Sequence, residues 1–116
     1  MMAAGDGWIL DIHPHPDAAG VPVDTLISIQ FAQDMNRHTL NARNILILDG
    51  NEGGRLISDR FAFAYNPEVK RLLIYFKESA AGFGRRNRIE IIVTGRIANQ
   101  RNESMGVPVQ FWFTTA

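Results

Sequence analysis

The sequence predicts an all-β fold of two antiparallel sheets packed as a sandwich, and three observations carry that prediction. The run Val107-Pro108-Val109-Gln110-Phe111-Trp112-Phe113-Thr114-Thr115 sets apolar residues at 107, 109, 111 and 113, the period of two of a strand with one face in a core. Further short apolar runs recur along the chain, separated by clusters of Gly, Pro, Asn and Asp. About seven such runs within 116 residues suit a sandwich, which needs about 100.

The runs follow in order. Residues 8–12 (WILDI) form a short strand, stopped by His13-Pro14-His15-Pro16, whose prolines remove donors and force extended backbone. Such a strand belongs at a sheet edge. After the loop 17–24, residues 25–31 place Ile27, Ile29 and Phe31 on one face and Ser28 and Gln30 on the other. Residues 32–40 hold neither strand alternation nor the length of a substantial helix, so a loop with one short helical turn is expected there, Asn36 capping residues 37–40. Residues 45–48 make the next strand. Asp49-Gly50-Asn51-Glu52-Gly53-Gly54 reverses the chain in a hairpin loop longer than two residues, and 55–65 returns, with an interruption near Asp59. Residues 71–76 carry apolar side chains on both faces, which predicts a central strand. Gly82 and Gly84 break the chain before 88–94, where Ile89, Ile91 and Val93 alternate with Arg88, Glu90 and Thr94.

The order and spacing of several loop residues add to this periodicity. Pro16 and Gly20-Val21-Pro22-Val23-Asp24-Thr25 lead into Ile27, Ile29 and Phe31; Asp34-Met35-Asn36 precedes Thr39-Leu40-Asn41; and Phe111-Trp112-Phe113-Thr114-Thr115 closes the chain. In these pieces, over residues 8–116, the chain resembles the bacterial Ig-like domains of the SbsA surface-layer protein type. The resemblance implies an immunoglobulin-like β-sandwich of about seven strands over 8–116, and the flexible composition of residues 1–7 suits a linker or expression remnant. The resemblance implies scaffold roles for Phe31, Asp34, Met35, Asn36, Thr39, Phe111 and Phe113, with Met35 filling the core beneath its loop. It brings no catalytic set. The sequence departs from the family pattern at Asp34, where proline is common, at Ile89, where tyrosine is common, and near Gln100-Arg101-Asn102, which lacks the usual glycine.

Composition narrows the function classes. Twelve basic and twelve acidic side chains cancel, so the electrostatic footprint of a nucleic-acid partner is missing. Without cysteine there is no disulfide, thiolate metal site or cysteine nucleophile. No transmembrane stretch is present, and the first seven residues lack the basic start and apolar run of a signal peptide. The expectation is a piece of a longer exported protein, placed at the cell surface or outside the cell.

Asp11-x-His13-x-His15-x-Asp17 spaces four oxygen and nitrogen ligands at alternate positions, a pattern that suits Zn²⁺ on an extended segment. Pro14 and Pro16 explain the same segment as a rigid junction, and the expectation is no metal and no cofactor. Asp49, Glu52 and Asp59 are carboxylates in turns, where such residues bond locally. His38 beside Arg37 and Asp34 reads as a polar surface turn, and the serines at 28, 58, 79 and 104 lack a nucleophile elbow. Asn102-Glu103-Ser104 matches a glycosylation sequon, a pattern frequent by chance. Arg85, Arg86 and Arg88 cluster beside Phe83, and Trp112 points away from Phe111 and Phe113 on the last strand, so these five are the binding candidates. The expected function is non-catalytic: a spacer whose partners are neighbouring domains, with an accessory module holding polysaccharide, a cell-wall component or protein as the alternative.

Overall fold

The computed structural model describes residues 7–78 and 81–116, so the linker expected at 1–7 lies outside the described residues except for Gly7, as does Ser79. Eight strands run in the order β1 (Ile9–His13), β2 (Ile27–Phe31), β3 (Ile45–Asp49), β4 (Arg55–Leu56), β5 (Phe61–Asn66), β6 (Arg71–Phe76), β7 (Arg88–Val93) and β8 (Val109–Thr114). They form two four-stranded sheets, ordered β1-β2-β6-β5 and β4-β3-β7-β8, and every neighbouring pair is antiparallel. This is the immunoglobulin-like arrangement with an extra edge strand, β4, beside β3.

The count is eight because the run 55–65 is two strands in two different sheets. The amide of Ile57 still donates to Ile47 O (2.8 Å), but the Ser58 hydroxyl then accepts the Ile47 N–H (2.8 Å), and a 3-10 turn over Ser58–Arg60 carries the chain across. The interruption expected near Asp59 is that turn. The expected helical turn is present as a 3-10 turn over Arg37–Thr39, and the Asn36 side chain caps it by accepting the His38 N–H.

The core follows the alternation. Ile27, Ile29 and Phe31 of β2, Leu72 and Ile74 of β6, Ile45 and Ile47 of β3, Ile89, Ile91 and Val93 of β7, and Phe111 and Phe113 of β8 are at most 3% exposed. Each such side chain contributes about 1.5–3 kcal/mol relative to an exposed one. The last strand starts at Val109 and not at 107: Pro108 has no N–H for the ladder, and Val107 stays exposed. Strand β6 lies inside its sheet as expected, yet Leu73 and Tyr75 on its outer face meet solvent.

The N-terminal segment touches both sheets. Strand β1 is the edge beside β2, with a register shift between Ile9 and Asp11, and the His13-Pro14 peptide after it is cis. Residues 17–21 then run parallel to the end of β8. Asp17 N–H donates to Trp112 O (2.8 Å), Thr114 N–H to Ala18 O (2.8 Å), Val21 N–H to Thr114 O (3.1 Å) and Ala116 N–H to Val21 O (2.8 Å). One pole of the sandwich holds the start of β1, the loops 32–44 and 94–108, and the 67–70 turn. The other holds the 50–54 and 82–87 loops and the end of β8.

A buried polar knot fastens this second pole. Asn87, fully buried, donates from Nδ2 to Asp49 Oδ1 (2.7 Å) and to Phe83 O (2.6 Å), and its Oδ1 accepts the Asn51 N–H (2.8 Å). Its own N–H donates to Thr115 Oγ1 (2.8 Å), whose hydroxyl donates to Gly84 O (2.6 Å). Gly50 is required beside it, because a Cβ there would lie 2.5 Å from Arg88 O. Asn87→Ala leaves Asp49 Oδ1 and Phe83 O without their Asn87 donor, and we expect a loss of about 2–3 kcal/mol. Urea denaturation checks this, the midpoint falling with little change in slope.

Candidate functional site

The outer face of sheet β4-β3-β7-β8 brings Trp112 and Arg88 together. Pairing aligns Leu56, Leu48, Glu90 and Trp112 in one cross-strand row, and Leu46, Ile92 and Gln110 in the next. The Arg88 guanidinium stacks over the Trp112 ring, 4.4 Å from its centroid, and the Gln110 amide donates to the Glu90 carboxylate. Residues Leu48, Gly50, Gly54, Arg88, Glu90, Gln110 and Trp112 line a shallow depression of about 400 Å³. Chemically this is a platform: an aromatic ring, aliphatic rows and hydrogen-bonding groups on flat, extended backbone. It can seat another flat surface, such as a sugar ring or a neighbouring domain. The Trp112 ring is half-buried because Arg88, two strand positions from the level of Glu90, lies across it.

The other binding candidates separate. Phe83 does not join the platform: its ring is 3% exposed and packs against Phe61 (centroids 5.7 Å apart), Phe76 (4.8 Å) and Phe113 (5.5 Å). The Phe83 N–H donates to Val23 O (2.8 Å), which draws the loop into the core mouth, and the binding candidate Phe83 packs among aromatic rings with no face open to a ligand. Arg85 and Arg86 stay exposed at the pole, beside Ala116. The basic cluster is thus split, with Arg88 on the sheet face and the other two in the turn. Asp11, His13, His15 and Asp17 are exposed, and among the described residues no three His, Asp or Glu side chains converge into a metal site.

At the opposite pole stands a node that periodicity did not reveal. The Tyr65 hydroxyl donates to Asp34 Oδ1 (2.7 Å) and accepts the Met35 N–H (2.9 Å), tying β5 to the loop after β2. Burial, reinforced by the Asp34 carboxylate and opposed by the Met35 N–H, pushes the Tyr65 hydroxyl pKa up to about 12. Met35 is fully buried; Thr39 Oγ1 donates to Asn36 O (2.7 Å) and accepts the Ala98 N–H (3.0 Å). Nearby, the Asn99 amide and the Arg101 charge hold the Glu103 carboxyl below its usual range. Asp34, the departure from the family pattern, is therefore the acceptor for Tyr65. These bonds engage Asp34 in holding a loop, and His38 and Arg37 line a shallow depression of about 420 Å³ beside this node with Met35, Tyr65, Gln100 and Asn102. Sequence reasoning also passed over Tyr75, 44% exposed on the outer face of β6.

No protein-family model matches this chain, and no curated protein matches it. Solved structures are similar in fold. An L,D-transpeptidase from Mycobacterium smegmatis is 16% identical with a TM-score of 0.58, over 93% of this chain and 39% of that one. The N-terminal part of the bacterial S-layer protein SbsC is 7% identical with a TM-score of 0.62, over 92% of this chain and 23% of that one. CopC from Methylosinus trichosporium OB3b is 12% identical with a TM-score of 0.58, over 93% of this chain and 91% of that one. The chain spans well under half the length of the transpeptidase and SbsC chains it matches. Together with the strand order, these define an all-β immunoglobulin-like sandwich. The resemblance to SbsA-type domains is supported as a fold-level relationship to bacterial surface Ig-like domains. Among the described residues no helix is long and apolar enough to cross a membrane.

The Tyr65 node makes a pH prediction. Because the folded-state pKa is raised, its stabilisation is full below pH 10, the ordinary value, and is lost as pH rises towards about 12. Thermal melts between pH 9 and 12 are expected to fall more steeply for the parent chain than for Tyr65→Phe. At pH 7 that variant is expected to lose about 1 kcal/mol.

Proposed function

We propose that this chain is a non-catalytic structural module of a larger exported bacterial protein, a spacer that holds neighbouring domains apart at the cell surface. The observation that supports it is the parallel pairing of residues 17–21 with 112–116. The first described strand enters at one pole and β8 leaves at the other, along a body 40 Å in its longest dimension. Tension between those ends loads the four bonds joining 17–21 to β8 together, in shear, instead of opening them one after another. Shear along a ladder requires all of its bonds to fail at once, which suits a load-bearing link.

Single-molecule extension between residues 8 and 116 tests this reading. Val21→Pro removes one clamp donor, the Val21 N–H to Thr114 O, and leaves both four-stranded sheets intact. The unfolding force is expected to drop by a larger fraction than the urea midpoint, which also falls because Val21 is buried in the core. Equal forces for parent and variant would remove the mechanical reading.

The Arg88–Trp112 platform favours a second reading, an accessory module holding polysaccharide or a cell-wall component. Retention of the purified chain on insoluble cell-wall material, lost in Trp112→Ala, is the expected outcome under that reading. Passage of both proteins through every matrix would set it aside.

A further inference from the structure

The sandwich has four sheet edges, and three of them carry a feature that blunts pairing. Strand β1 carries a register shift, exposed Asp11 and His13, and Pro14 at its end. Strand β4 is two residues long. Strand β8 is capped over its C-terminal end by residues 17–21, which take Trp112 O and both backbone groups of Thr114. These are three different devices for blunting an edge.

Strand β5 has none of them. Its six residues, Phe61-Ala62-Phe63-Ala64-Tyr65-Asn66, pair with β6 without a register shift and contain neither a charge nor a proline. The Lys77 N–H donates to Arg60 O (3.0 Å), and the alternation of an antiparallel ladder then turns 62, 64 and 66 towards β6 and 61, 63 and 65 outward. Phe61 N–H donates to Ser58 O. Among the described residues, no backbone group pairs with the outward N–H and C=O groups of Phe63 and Tyr65. Phe63 itself is half-buried, its ring left at the mouth between the sheets.

We propose that the β5 edge pairs antiparallel with β5 of a second copy of this chain, joining two sheets of four strands into one continuous sheet. The outward set of 61, 63 and 65 is symmetric about Phe63, with Phe61 offering its carbonyl alone because its N–H is held by Ser58 O, and this makes the edge complementary to itself. A two-fold axis beside Phe63 sets Phe63 opposite Phe63 of the second copy and Phe61 opposite its Tyr65, each inward side chain facing an inward one. On the outer face Ala62 meets Ala64 of the second copy. A neutral strand brings no like charges together in this register, and the half-buried Phe63 rings cover one another. The contact is small, so the association is weak, in the range of transient pairs.

Sedimentation equilibrium over about 10 µM to 1 mM brackets the expected affinity. The parent chain is expected to pass from one copy to two across that range. The double substitution Ala62→Lys, Ala64→Lys lies on the outer face and leaves the core untouched, and it sets ammonium groups opposite one another across the axis. It is expected to remain single at every concentration, as is the matching double substitution to Glu, each with a cooperative melt showing that it is folded. An equimolar mixture of the two is expected to associate again. A parent chain that stays single at 1 mM, a Lys variant that pairs like the parent, or a mixture that does not associate would each overturn the proposal.

Discussion

Everything in this sandwich depends on one constraint, the burial of every second side chain from both sheets in a common core. Ile, Val, Leu and Phe from β2, β3, β6, β7 and β8 meet there. Because side chains alternate, a slip of one residue in any of these strands would turn its apolar set to water and its polar set inward. The register is therefore fixed by a sum of many contacts, each about 1.5–3 kcal/mol, and no single loop bond rivals them.

What the loops supply is closure of the two poles. At one, Asn87 gathers Asp49, Asn51, Phe83 and Thr115 with no buried side-chain polar atom left unpaired among the described residues. At the other, Tyr65 joins Asp34 and Met35, while Asn36 and Thr39 bind the strand connection to the 98–99 segment. Such networks fix loop positions because each member, once buried, is costly to leave without a partner. They explain why residues that look like catalytic candidates in a list, Asp34 and Asp49 among them, are engaged in architecture.

The surface features divide along the same lines. A half-covered tryptophan on one sheet face gives a platform whose guanidinium lid is part of the fold. The N-terminal segment, by crossing from β2 to β8, blunts an edge and forms the clamp between the two ends. Strand β5 is left open by the same topology, because the chain arrives there through a turn and, among the described residues, no later segment returns to cover it.

The sequence by itself determined most of the strands, the faces they bury and the capped turn at Asn36. These follow from local patterning, a period of two and a side-chain oxygen within reach of an amide two residues away. Residues 8–12 read as an edge strand because the prolines after it cannot donate. The tertiary structure alone decided that 55–65 divides between two sheets, since Ser58 replaces a ladder partner only once β3 lies beside it. It decided that Phe83 turns inward and that Arg88 leaves Arg85 and Arg86 to lie on Trp112, since each depends on a neighbour from a distant strand. It also decided which edges are covered: periodicity sees a strand's two faces, but its flanks are defined only when the sheets are assembled.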